Sequence, residues 1–180
     1  MESTVVLDLR ELESGIPALT QALGRVHAEA AAVCLENQGH QEPVRLAVRK
    51  IDTPQYDLRW PALTDTMRRA YEDLERATEL GAYGVAILLI RDQTGLTAIR
   101  QSRKGTGFDY WLGPDGADDQ LVFQDAARLE VSGILSGTDS QFLTRVKQKL
   151  KQTEASDNSG LPAYACVVEF SRPQAEMATK

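Results

Sequence analysis

The sequence predicts an α/β fold: a mixed central sheet flanked by helices. Three observations predict it. Two long segments carry apolar residues every three or four positions and close on glycine, as amphipathic helices do. The segments around Val44, Asp109 and Glu130 alternate with a period of two, as half-buried strands do. Tyr83–Ile90 is apolar almost throughout, the pattern of a strand buried on both faces.

Taken in order, Thr4–Leu9 reads as a short strand or an extended lead-in. Ser14 caps a helix from Ile16 or Pro17 to Asn37, with Ile16, Leu19, Leu23, Val26, Ala30 and Val33 on its buried face and Gly39 ending it. Val44–Ile51 alternates apolar and basic residues, a half-exposed strand that Thr53-Pro54 breaks. A second helix runs from Pro61 to Gly81 on the stripe Leu63, Met67, Ala70, Leu74 and Ala77. Tyr83–Ile90 follows as the central strand, and Asp92-Gln93-Thr94-Gly95 turns it into a hairpin with Leu96–Arg100. Phe108–Leu112 is the next strand, and Leu121–Ile134 contains another, Arg128–Ser132. Thr138 and Gln141 form a capping box for a helix to Gln152, with Phe142, Val146 and Leu150 inward. Ala163–Phe170 is the last strand, and residues 173–180 read as a loose tail. The organisation is one domain, residues 1–180. Residues 1–60 form an N-terminal helix-and-strand extension, and residues 61–172 form the α/β core.

Composition narrows the function classes. The chain has 180 residues and a formal net charge of −6, which argues against gripping nucleic acid by bulk electrostatics. It leaves room for a local basic patch or for a partner that supplies one. The longest apolar run, Ala82–Ile90, is too short to span a membrane. Met1-Glu2-Ser3-Thr4 lacks the basic start of a signal peptide, so the expected compartment is the cytoplasm. Two cysteines, Cys34 and Cys166, are too few for a structural zinc site, and two histidines, His27 and His40, rule out a histidine-rich centre.

The chemistry concentrates in Phe108-Asp109-Tyr110-Trp111-Leu112 and Arg128-Leu129-Glu130-Val131-Ser132. Each holds one acid in a strand-like run, where acids are disfavoured and costly to desolvate alone. Alternation gives each strand one apolar face and one face bearing its acid. If the strands pair, Asp109 and Glu130, 21 residues apart, project from one side of the sheet. Two close carboxylates repel, and a divalent cation relieves the repulsion. Mg2+ commonly takes one or two protein carboxylates, with water and phosphate oxygens completing its shell. The plainer alternative is the wet face of an antiparallel sheet, where acids are common.

A helix, three antiparallel strands, a helix and a strand, with Asp on the second core strand and Glu on the third, resembles the PD-(D/E)XK (restriction-endonuclease-like) nuclease core. Thr106-Gly107-Phe108-Asp109-Tyr110 looks like the Asp motif, and Leu129-Glu130-Val131-Ser132 like the Glu motif. The resemblance covers about Pro61 to Phe170. It implies a metal-dependent nuclease acting on DNA or RNA, with Mg2+ or Mn2+ held by Asp109 and Glu130. A third acid from a helix, Glu79 or Glu75, is implied by analogy with some members. Such domains recur in restriction, anti-phage and mobile-element systems, and the chain's small size and acidic charge suggest that another subunit delivers the substrate.

The chain departs from the family at the lysine two residues after the Glu, where Ser132 stands. Either Lys104 or Arg128 substitutes from nearby, or the site is degenerate and the domain only binds. In the second case it is an interaction or regulatory subunit, a homodimer or one half of a complex, with Trp60, Tyr110 and Trp111 as interface anchors. Glu29 and Glu36 share one side of the first helix, facing a metal or water. Arg145, Lys147, Lys149 and Lys151 make a basic stripe on the last helix, the best local candidate for contact with nucleic acid.

Overall fold

The computed structural model describes residues 4–49, 54–116 and 127–180. Residues 121–126 of the expected Glu130 segment and the Ile51 end of the Val44 strand lie outside them. Among the described residues, the order is β1 (Thr4–Asp8), a 3-10 turn (Leu9–Ser14), α1 (Gln21–Asn37), β2 (Val44–Val48), β3 (Gln55–Arg59), α2 (Asp65–Ala70), α3 (Leu74–Thr94) and β4 (Leu96–Gln101). Then come β5 (Tyr110–Pro114), β6 (Ala127–Ile134), α4 (Asp139–Gln152), a second 3-10 turn (Thr153–Ser159), β7 (Ala163–Glu169) and β8 (Gln174–Thr179).

The strands form one mixed sheet in the order β1-β3-β2-β8-β7-β6-β5-β4. Strands β4, β5 and β6 are an antiparallel meander, α4 crosses over, and β7 returns parallel to β6. The α/β class with a mixed sheet between helices is therefore as expected. No helix among the described residues is long and apolar enough to cross a membrane.

The largest correction is Tyr83–Ile90, which is not a strand. It is the second half of α3, a helix that begins at Leu74, and the expected hairpin with Leu96–Arg100 does not exist. Asp73 caps α3 by accepting from the backbone N–H of Glu75 and Arg76, and Gly95, with φ +72°, ends it. The expected Pro61–Gly81 helix divides at Tyr71–Asp73 because Thr64 and Asp73 each start a helix of their own. An apolar octet fits either a central strand or a helix buried all round, and periodicity alone does not separate them. Here α1 covers one side of α3 and the sheet covers the other, so Val85–Ile90 is buried throughout. Gly81 is a close-approach site and not a helix end: a Cβ there would lie 2.7 Å from Ala31 Cα. The run of buried alanines on α1 permits that approach.

Two strands were not foreseen. β3 places Tyr56 and Leu58 inward and pairs with β1 and β2. The expected loose tail is β8, which is hydrogen-bonded between β7 and β2. It makes the N-terminal extension continuous with the core sheet. Trp60 and Tyr110 are buried in that core, so they do not anchor a surface interface; Trp111 packs edge-on against Phe108.

The sheet has two differently built faces. Leu129 and Val131 of β6 join the main core beneath α1 and α3. On the other face, Phe142 and Val146 of α4 pack with Val167 of β7 in a small separate cluster. The polar residues of β6, namely Arg128, Glu130 and Ser132, lie on this second face, under α4.

Candidate active site

Asp109 sits immediately before β5. Its backbone N–H donates to Leu129 O at 2.8 Å, and its carbonyl accepts from Ser102 N at 2.8 Å, which fixes it between β4 and β6. Its side chain then takes over the ladder: Oδ2 accepts the N–H of Val131 at 2.8 Å. The other oxygen, Oδ1, accepts the hydroxyl of Tyr83 from α3 at 3.0 Å. Burial, together with the Asp109 charge, raises the Tyr83 phenol far above its ordinary value, so it acts as a neutral donor.

Glu130 lies one residue along from the Leu129 rung, turned toward α4 and only 2% exposed. Lys149 of α4 donates to its Oε1 at 2.6 Å, and the same Nζ lies 3.3 Å from Gln152 Oε1. Burial raises the Glu130 carboxyl to about 7, and the neighbouring Asp109 charge adds to the rise. The Lys149 hydrogen bond and charge oppose it. Charging a carboxyl in a dry setting beside another carboxylate is unfavourable, and one ammonium offsets this only in part.

Asp109 and Glu130 line the same cleft of about 260 Å³, with Arg103, Lys104 and Gln152 also on its walls. Gly107 forms part of the same wall. It has φ +80°, and a Cβ there would lie 2.3 Å from the Gln152 carbonyl oxygen, so only glycine lets the β4–β5 turn close against the end of α4. The Ser102 hydroxyl tightens that turn by donating to Phe108 O at 2.5 Å.

The other candidates fall elsewhere. Lys104 is exposed on the rim of this cleft. Arg128 does not line it: the guanidinium is buried and donates to Thr153 O, Ser156 Oγ, Asp157 Oδ1 and Leu161 O, pinning the turn after α4. An arginine committed to four acceptors is not free to stand in for a lysine beside the acids. Glu79 and Glu75 line a neighbouring cleft of about 550 Å³ with Ser132, Arg145 and Lys149. Among the described residues, no three carboxylate, imidazole or thiol groups converge as a cation site, so Glu79 does not complete a triad. Its charge is nonetheless felt at Tyr83, one helical turn further on. On α1, Glu29 accepts from the Tyr71 hydroxyl, while Glu36 accepts from Arg68 and from Trp60 Nε1. Both tie down the residue 60–71 segment.

Sequence reasoning had Lys149 only as one member of a surface stripe. The signal was there in the helix period: Arg145, Val146 and Lys149 stand three, four and seven residues after Phe142, on one face. Two cations on an apolar stripe mark inward partners. Arg145 meets Ser132 Oγ at 2.8 Å, whereas Lys147 and Lys151 face outward. Tyr83 was hidden by its assignment to a strand.

Among the described residues the cleft offers carboxylates and no thiol or imidazole, a set suited to Mg2+ or Mn2+ and unsuited to softer metals. Burial chiefly raises Glu130, and the repulsion from Asp109 that adds to the rise is what a divalent cation would relieve, so these two carboxylates fit such an ion. Comparisons with protein-family models, with curated proteins and with solved structures give no match for this chain.

Proposed function

We propose that the chain is a metal-dependent phosphodiesterase of the PD-(D/E)XK type, acting on DNA or RNA. The observation that carries this reading is that Asp109 and Glu130 open onto one cleft with the Lys149 ammonium 2.6 Å from Glu130. The element order supports it. With Tyr83–Ile90 in a helix, the core from α3 onward is a helix, an antiparallel meander, a crossover helix and a parallel strand. Asp109 opens the second strand of that series and Glu130 lies in the third.

In this reading Asp109 and Glu130 hold Mg2+ or Mn2+, which when bound polarises a water and a phosphate oxygen. Tyr83 and the Val131 N–H fix the Asp109 carboxylate before any ion arrives. Lys149 supplies from α4 the positive charge that the family resemblance would have put at Ser132. Lys149 lines the larger cleft and bonds Glu130, which lines the smaller, and from there it would meet negative charge building on a phosphate. The acidic net charge suits a chain whose substrate is delivered by a partner subunit.

Titration calorimetry with Mn2+, run beside a cleavage assay on labelled DNA and RNA, tests the reading. Mn2+ should bind at a single site lost in Asp109→Ala, and cleavage should vanish in both Asp109→Ala and Lys149→Met. Cleavage surviving in Asp109→Ala refutes the assignment. The second reading, an interaction subunit on a degenerate scaffold, is favoured by the Lys149 ion pair, which gives Glu130 a partner within the chain. It requires that Mn2+ give no heat and that the protein form a stable complex or homodimer by light scattering.

A further inference from the structure

The second cleft, of about 550 Å³, has Lys149 in its wall, and Lys149 bonds Glu130 of the acid pair. Its walls carry opposite charges. On the α4 side stand Arg145, held at 2.8 Å by Ser132 Oγ, and Lys149. On the α3 side stand Glu75 and Glu79, both exposed. Between them Leu74, Ile134 and Leu135 give an apolar lining. The volume suits one nucleotide-sized group, since small-molecule sites run from about 300 to 1,000 Å³.

Resting on the phosphodiesterase reading, we infer that this cleft takes an unpaired nucleotide adjoining the scissile phosphate, so that single-stranded nucleic acid is preferred over intact duplex. The backbone phosphate lies along the cationic α4 wall, because the α3 wall repels it. The base then faces the apolar lining and the two glutamates, which accept hydrogen bonds from amino and imino N–H groups on base edges. Glu130 lines the smaller cleft and is 2% exposed, so the scissile phosphate must descend there, which draws the adjoining nucleotide down into the larger cleft beside it. A strand held in a duplex keeps its bases stacked and paired, and lowering one nucleotide into a pocket requires pulling it out. A free strand has no such cost. Arg103 and Lys104, on the rim of the smaller cleft, meet the same strand on the far side of the acid pair.

The test is fluorescence anisotropy with a labelled 20-nucleotide single-stranded DNA, its RNA counterpart and the blunt DNA duplex, in Ca2+ buffer at fixed salt. At least one single strand should bind tighter than the duplex by about tenfold or more, as stacking and backbone contacts to an unpaired strand allow. Arg145→Gln should weaken that binding about fivefold or more by loss of a charge-assisted contact. Leu135→Trp, which fills the cleft without changing charge, should do likewise. Both variants should retain the wild-type Mn2+ titration. Duplex binding equal to or tighter than single-strand binding overturns the inference, as does unchanged binding in both variants. If Mn2+ binding and cleavage of duplex persist meanwhile, the phosphodiesterase reading stands without it. Loss of the Mn2+ site and of all nucleic-acid binding in the wild type would remove both.

Discussion

Glu130→Gln tests the electrostatics of the site without needing any substrate. The carboxyl has an ordinary value of 4.5 and is raised to about 7 by burial and by Asp109. A carboxyl raised in this way favours the fold only while it is protonated. Its contribution is complete below about 4.5 and is lost as pH rises through 7. Integrated over that window, the stability lost is about 3 kcal/mol at pH 8 and under about 1 kcal/mol at pH 5. Glutamine keeps the shape and can still accept from Lys149, but it has no proton to lose. The variant-minus-wild-type stability should therefore grow by about 2–3 kcal/mol between pH 5 and pH 8. For a chain of this length that is roughly 4–12 °C in relative melting temperature. Urea and thermal melts followed by circular dichroism at the two pH values read it directly. A difference that stays constant between them would refute the account of Glu130. Saturating Mn2+ at pH 8 should raise the wild-type melting temperature and leave the variant unmoved, since only the ionised carboxylate is a ligand.

His27 carries a pH dependence of opposite sign. Its ring is buried against Tyr83, and burial lowers the imidazole to about 4, so stability is full above about 6.5 and is lost as pH falls toward 4. His27→Leu should gain about 2–3 kcal/mol on wild type between pH 7 and pH 4.5 in urea titrations, and a parallel loss in both proteins would count against it. Arg128→Met should cost about 2–4 kcal/mol, because it strands the buried carbonyl acceptors at Thr153 and Leu161. Mn2+ affinity of the folded variant should be unchanged in calorimetry, whereas a drop would return Arg128 to the site. Gly133→Ala would put a Cβ 2.4 Å from the Thr78 carbonyl oxygen, forcing α3 away from β6 at a cost of about 1–3 kcal/mol in chemical denaturation.

What could be read in the sequence follows from where the physics is local. Capping is local: the Thr138–Gln141 box forms as expected and starts α4 one residue later. The acids at 109 and 130 could be read because a carboxylate within an apolar strand pattern conflicts with its neighbours wherever the strand ends up. Tyr83–Ile90 could not be assigned, since the choice between buried helix and buried strand depends on α1 arriving against Gly81. β8 was missed because its short, weakly apolar stretch, Gln174–Thr179, becomes a strand through two neighbours distant in sequence. Lys149 was half legible. Its helical phase marked it as inward, but only the β6 register put Glu130 opposite.

The acid pair itself bears on the choice between an enzyme and a binding scaffold. One buried carboxylate with one lysine is an ordinary structural pairing, and Glu169 shows how this chain builds one. It is 0% exposed, accepts from Ser171 and Gln174, and faces the Arg172 guanidinium, which it shares with Asp139. Glu130 is handled differently. Its one lysine is set against the added charge of Asp109, and its carboxyl is left raised toward neutrality. Above neutral pH the fold would gain from an uncharged isostere at 130 that keeps the Lys149 hydrogen bond. A persistent local cost of this kind is characteristic of sites that wait for a ligand. Near neutral pH a proton on Glu130 relieves this cost, and under the phosphodiesterase reading proposed above a divalent cation would take that proton's place.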